Sequence, residues 1–118
     1  MSGITRIEPG PRMSKAVLHG DTVYLAGIVA DDTGLDVTGQ TKQVLAEIDR
    51  ILALAGTDKG HLLRANIWLA DMKDFAAMNA VWDTWVVPGE TPARATVEAS
   101  LATPAYKVEI MVVAAKKG

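Results

Sequence analysis

Tyr106-Lys107-Val108-Glu109-Ile110-Met111-Val112-Val113-Ala114-Ala115 decides how this chain folds. Tyr106, Val108, Ile110, Val112 and Ala114 recur with the period of two that belongs to a β-strand, and they make one face apolar. Met111, Val113 and Ala115 make the opposite face apolar as well. A strand of that kind needs cover on both sides. One carboxylate, Glu109, enters the run with apolar neighbours on either side.

Working back from this strand, Ala102-Thr103-Pro104 joins it to another, roughly Ala93 to Ala99. Leu63, Ala65, Ile67 and Leu69 alternate with Arg64, Asn66 and Trp68, which predicts a third strand. Between these two lies a helix capped by Asp71 or Asp74, with Phe75, Met78, Trp82, Trp85 and Val86 as its apolar stripe and Pro88-Gly89 as its end. Upstream, Val44, Leu45, Ile48, Ile51, Leu52 and Ala55 recur at helical spacing, while Lys42, Glu47, Asp49 and Arg50 fall off that stripe. Gly56 closes this helix. Ala16-Val17-Leu18 and Val23-Tyr24-Leu25-Ala26 flank His19-Gly20-Asp21-Thr22, two strands about a tight turn, with a short strand around Ile4 to Glu8 as an optional first element.

The order is therefore strand, strand, helix, strand, helix, strand, strand. Right-handed crossovers place both helices on one face of a mixed sheet. Two helices leave the other face open, and its simplest cover is another subunit.

The 118 residues predict one domain, 1–118, with a core modest enough that oligomerisation is expected. With 49% hydrophobic and 22% charged residues, the composition is that of a folded chain. No apolar run approaches the roughly 20 residues of a membrane span, and Met1-Ser2-Gly3-Ile4-Thr5-Arg6 lacks a secretory apolar region, so the expected compartment is the cytoplasm, with no membrane partner. The chain has no cysteine, which excludes disulfides, thiolate nucleophiles and zinc-thiolate sites. His19 and His61 are too few for a histidine metal cage, and neither metal nor cofactor is expected. A net charge of −2 supplies no general attraction to phosphate backbones, so nucleic acid is not an expected partner.

Arg94 stands alone as a cation within Thr91-Pro92-Ala93-Arg94-Ala95-Thr96-Val97-Glu98 and shares a strand face with Thr96 and Glu98. A guanidinium is suited to a carboxylate, because its planar fork matches both oxygens and its charge persists. The alternative is an ion pair with Glu98 or Glu109 that lines a subunit interface. Glu109 is either a general acid or base set among apolar side chains, or a carboxylate neutralised by Arg94 or Lys107. Asn79, four residues after Phe75 and three before Trp82, is expected to point inward, either bonding backbone to fix a loop or touching a ligand. Trp68, Trp82 and Trp85 read as core or interface aromatics, His19 and His61 as surface turn residues, and Lys116-Lys117 as a solvated tail.

Gly27 after Val23-Tyr24-Leu25-Ala26, the helix Gln43 to Ala55 followed by Gly56, Asp74-Phe75-Ala76-Ala77-Met78-Asn79, Pro92-Ala93-Arg94-Ala95-Thr96-Val97-Glu98 and Val108-Glu109-Ile110 together resemble the RidA (YjgF/YER057c/UK114) family over nearly the whole chain. The resemblance implies a chorismate-mutase-like α+β fold, a mixed sheet with two helices on one face, a homotrimer, and ligand sites in the clefts between subunits. It also implies hydrolysis of reactive 2-imino acids or their enamine tautomers, such as 2-aminoacrylate and 2-iminobutanoate, to 2-keto acids and ammonium. By position it implies that Arg94 grips the substrate carboxylate, Glu109 places or activates water, the N–H of Gly27 faces the ligand, and Asn79 lies near the site. Thr96 stands where archetypal members carry cysteine, Ala26 where they carry serine, and Met13 or its neighbour where they carry a tyrosine. Those exchanges predict a divergent subfamily with an altered pocket. Capture of a small carboxylate metabolite without turnover, or a related enamine or amide hydrolysis, would use the same clamp. Ribonuclease activity, attributed to some relatives, finds no basic groove in this sequence.

Overall fold

Val108–Ala115 is the strand around which the rest is arranged, with hydrogen-bonded neighbours on both edges. The computed structural model describes residues 3–117. In chain order the elements are β1 (Ile4–Ile7), β2 (Ala16–His19), β3 (Thr22–Leu25), α1 (Val37–Leu54), β4 (Leu62–Leu69), α2 (Phe75–Trp85), β5 (Ala93–Glu98) and β6 (Val108–Ala115). Short 3₁₀ turns, Lys59–His61 and Met72–Asp74, lead into β4 and α2. The sheet runs β1-β2-β3-β6-β4-β5. Its pairs are antiparallel except β4 with β5, so the sheet is mixed, as expected.

The period of two in β6 is realised literally. Val108, Ile110, Val112 and Ala114 are fully buried, and Glu109, Met111, Val113 and Ala115 only partly. Leu69, Ile67 and Ala65 of β4 lie opposite Val108, Ile110 and Val112 and continue the same buried face. Onto it pack Val44, Leu45, Ile48, Ile51 and Leu52 of α1 and Met78, Val81, Trp82 and Trp85 of α2. The two helices also touch each other, which puts both on one side of the sheet. Removing a side chain as enclosed as Ile110 costs about 2–5 kcal/mol. The other face carries Trp68 and Met111, half-buried, with Tyr24 47% and Val97 49% exposed.

α1 begins at Val37, well before Gln43. Asp36 caps it by accepting the Gly39 N–H at 2.9 Å. The early turn was hidden because its inward residues are polar. Gln40 is fully buried, donating to the carbonyls of Leu35 and Ala105 at 3.1 Å each and of Thr33 at 3.4 Å, and accepting the Lys107 N–H at 2.9 Å. Thr41 gives its hydroxyl to the Val37 carbonyl at 2.7 Å. Gln40 thereby ties the approach to β6 onto α1, which is why the strand starts at Val108 and not at Tyr106. Gly56 follows the helix with a φ of 80°, a left-handed conformation that suits glycine. Asp71 caps the 3₁₀ turn through the Lys73 N–H, and Asp74 precedes α2 without a side-chain cap. Lys117 is no free tail, since its ammonium reaches Asp58 at 3.1 Å. Among the described residues, no helix is long and apolar enough to cross a membrane.

Candidate functional site

β5 is an edge strand that pairs, among the described strands, with β4 alone. Arg94 lies opposite Ala65, and Thr96 opposite Ile67, so both point to the helix-covered side. There α2 receives the guanidinium. Arg94 Nη1 donates to Asn79 Oδ1 at 2.8 Å, and Cζ lies 5.3 Å from the centroid of the Trp82 ring and 5.9 Å from that of Phe75. Phe75, Asn79 and Trp82 share one face of α2 by their spacing. The remaining guanidinium donors make no hydrogen bond among the described residues. Beside them, Thr96 Oγ1 is buried and has no hydrogen-bond partner among the described residues. Side-chain oxygens in that condition are uncommon.

Three expectations change here. Glu98 does not pair with Arg94; its Oε1 accepts the Met72 N–H at 2.8 Å. Phe75 is not a core residue, since it opens α2 near the sheet edge and stays 39% exposed. Asn79 is half-buried, and its oxygen holds Arg94 instead of backbone.

The second group gathers where β3 leaves β6. Tyr24 pairs with Val113, after which the next bridge joins Ile28 to Ile110, with N–H to carbonyl distances of 2.8 and 3.1 Å. The Ala26 N–H goes to the Lys15 carbonyl at 2.9 Å. Between these, the Gly27 N–H makes no hydrogen bond among the described residues. The Glu109 carboxyl group occupies the space a Cβ on Gly27 would need, so any larger residue there would displace the carboxyl group from its present position. Glu109 forms no ion pair with Arg94 or Lys107; the Lys107 backbone is engaged by Gln40. Gly27 also lines a cavity of about 540 Å³ with Met13, Lys15, Ile28, Glu47 and Arg50. Met13 is 52% exposed.

Beside this cavity Arg50 is gripped by two carboxylates, Glu8 at 2.7 and 3.0 Å and Glu47 at 2.7 and 2.9 Å. Hydrogen bonds from Arg50 hold both carboxyl groups below the usual carboxylate range. The spacing of Glu47 and Arg50 along α1 could have announced half of this cluster. Nothing local links Glu8 to it. Among the described residues, no group of three or more His, Cys, Asp or Glu side chains could hold a metal ion.

Arg94 and Glu109 do not meet within the chain. Arg94 aligns through Ala65 with Val112, whereas Glu109 aligns with Trp68 and Val97. The two residues therefore project from opposite faces of the sheet, because the register of β4 sets their faces and each strand's own alternation does not. Arg94, Thr96 and Asn79 make one cluster and Gly27 and Glu109 another, while Met13 shares with Gly27 the cavity bounded by α1.

Residues 3–116 match the family described as Endoribonuclease L-PSP. The chain is 48% identical to the RutC family protein YoaB of Escherichia coli over 112 residues, covering 95% of this chain and 97% of that one. It is 46% identical to a RutC family protein of Haemophilus ducreyi over 112 residues, 95% and 96% of the two chains. The fold superposes on the crystal structure of a YjgF family member from Neisseria meningitidis with a TM-score of 0.97 at 48% identity, over 99% of this chain and 98% of that one. The chain belongs to the RidA (YjgF/YER057c/UK114) family.

Proposed function

We propose that the protein is a cytoplasmic homotrimer that hydrolyses reactive 2-imino acids and their enamine tautomers to 2-keto acids and ammonium, in clefts where Arg94 of one subunit faces Glu109 of the next. The observation that carries this reading is the split site. Arg94 keeps donors free on an edge strand beside the orphaned Thr96 hydroxyl, while Glu109 and the free Gly27 N–H sit on the opposite face. Neither group is complete alone, and an apolar open face offers the surface on which copies could join.

In the assembled cleft Arg94 takes the substrate carboxylate through two N–H donors, with Asn79 keeping the guanidinium in place. The Gly27 N–H and the Thr96 hydroxyl orient the imine, and Met13 supplies an apolar wall where a tyrosine would bring a phenol. Glu109 accepts a proton from water as its oxygen bonds to the imine carbon. It returns that proton to nitrogen; the carbon–nitrogen bond then breaks with its electron pair going to ammonia, Glu109 takes the hydroxyl proton as the carbonyl forms, and ammonia collects that proton and leaves as ammonium. A protonated imine is already electrophilic, so positioning plus a proton carrier worth about 10²–10⁴-fold is sufficient catalysis.

The test generates imino acids in place with an amino-acid oxidase and traps the survivors with semicarbazide. Added protein is expected to diminish the adduct, and Arg94→Ala protein to leave it intact. An unchanged adduct across several side-chain sizes would overturn the activity. If calorimetry then still recorded binding of 2-oxobutanoate, the cleft would be a capture site without turnover.

A further inference from the structure

We propose that Trp82 is a positioning residue that acts through Arg94, fixing the guanidinium for its carboxylate; this rests on the reading of Arg94 as the carboxylate receptor. An arginine on an edge strand begins with a cost, because its side chain carries about 2 kcal/mol of rotamer entropy that binding must suppress. Ordering it beforehand with ordinary hydrogen bonds would consume the donors that the ligand needs. A π face orders a cation without using any N–H. That is the arrangement found: one nitrogen is bonded to Asn79, and the guanidinium carbon lies over two aromatic rings.

The two rings are unequal. Phe75 is 39% exposed and the more distant at 5.9 Å, whereas Trp82 is buried and lies at 5.3 Å. Indole has the strongest face of the natural side chains, and the contact gains when water is excluded. Trp82 is itself held. Its ring packs on Trp85 at 5.3 Å between centroids and 48° between planes, and Trp85 Nε1 donates to Asp49 Oδ2 at 3.0 Å on α1. Lys59 lies 5.4 Å over the Trp85 ring. The column Asp49–Trp85–Trp82–Arg94 thus transmits the rigidity of the packed helices to a side chain on the sheet edge. As a core residue alone, Trp82 would need only its bulk; as a positioning residue it also needs its electron-rich face.

The experiment separates these roles by placing tryptophan analogues with one, two and three ring fluorines at position 82, which weaken the face and nearly keep the shape. Calorimetry with 2-oxobutanoate is expected to show affinity falling stepwise through the series, by roughly 2- to 30-fold in all, the span of a cation–π contact. Melting temperatures should stay together, and Arg94→Ala protein should bind the keto acid far more weakly and lose the trend. Affinity that is flat or rises across the series, with Arg94→Ala still impaired, overturns the role of Trp82 and leaves the receptor standing. Undiminished binding by Arg94→Ala removes the receptor and Trp82 together.

Discussion

Arg94 and Glu109 are held in opposite ways. The arginine is fixed at its far end, by Asn79 and two aromatic rings of α2, although its strand is the sheet's exposed edge. The glutamate is fixed at its base, on the central strand, and its carboxyl group lies in the space left by Gly27 with no ion pair among the described residues. A receptor binds better when it is already ordered, because a fixed fork loses less entropy when the ligand arrives. A proton carrier must exchange with water, and an ion pair would tie it down. The difference between the two regions matches the two tasks proposed for them.

The sharpest attack on this comparison mixes subunits. Arg94→Ala and Glu109→Gln chains should each lose about 10²–10⁴-fold in imine hydrolysis. Unfolded together and refolded at equal amounts, they should recover about a quarter of wild-type activity, since one in four interfaces then pairs an intact arginine with an intact glutamate. No recovery in mixed assemblies would place both groups in one subunit's site, against the opposite faces seen here.

Gly27→Ala probes the glutamate side alone. A Cβ there would meet the Glu109 carboxyl group, so the carboxyl group must swing away. Hydrolysis should fall by about 10²-fold while affinity for 2-oxobutanoate stays within about 2-fold, because Arg94 is untouched. Equal losses in binding and turnover would mean that the two regions are not separable.

How the split went unseen in the sequence is itself physical. Alternation in Arg94-Ala95-Thr96-Val97-Glu98 and in Val108-Glu109-Ile110-Met111 sorts each strand into two faces, and both sortings hold in the structure. Alternation cannot say whether the face of Arg94 is the face of Glu109, since that depends on how both strands register against β4. The central strand, both helices and the strand order along the chain were legible because burial there follows periodicity. The first turns of α1 were not, because Gln40 and Thr41 are buried by hydrogen bonding and the apolar stripe begins only at Val44. Arg94 was legible as a lone cation, but its aromatic cradle was not, since Phe75 and Trp82 looked like ordinary stripe residues.

Gln40 gives a smaller and more diffuse effect. Gln40→Ala removes the acceptor for the Lys107 N–H and the donor to Ala105, and leaves a void beneath the approach to β6. Urea unfolding at one protein concentration should show a loss of about 3 kcal/mol. Because the anchored segment leads to Glu109, residual turnover should suffer more than keto-acid binding. The reverse order would mean that α1 supports the arginine side instead.

The smallest effect belongs to Asp58, which lies outside both regions and serves as their control. Its carboxylate takes His61 Nδ1 at 2.8 Å, the Gly60 N–H at 2.9 Å and the Lys117 ammonium at 3.1 Å. These contacts, His61 first and Lys117 next, pull its pKa from 3.8 to about 2. A carboxyl group whose folded pKa is depressed stabilises the fold above its unfolded pKa, and that contribution fades as pH falls through the folded value. Asp58→Asn should therefore lower the melting temperature slightly at neutral pH, and the gap from wild type should close between about pH 4 and pH 2. The pair is exposed, so high salt should narrow the gap as well. Turnover and keto-acid affinity should not move, and if either did, the end of β6 would be coupled to Glu109 through the strand itself.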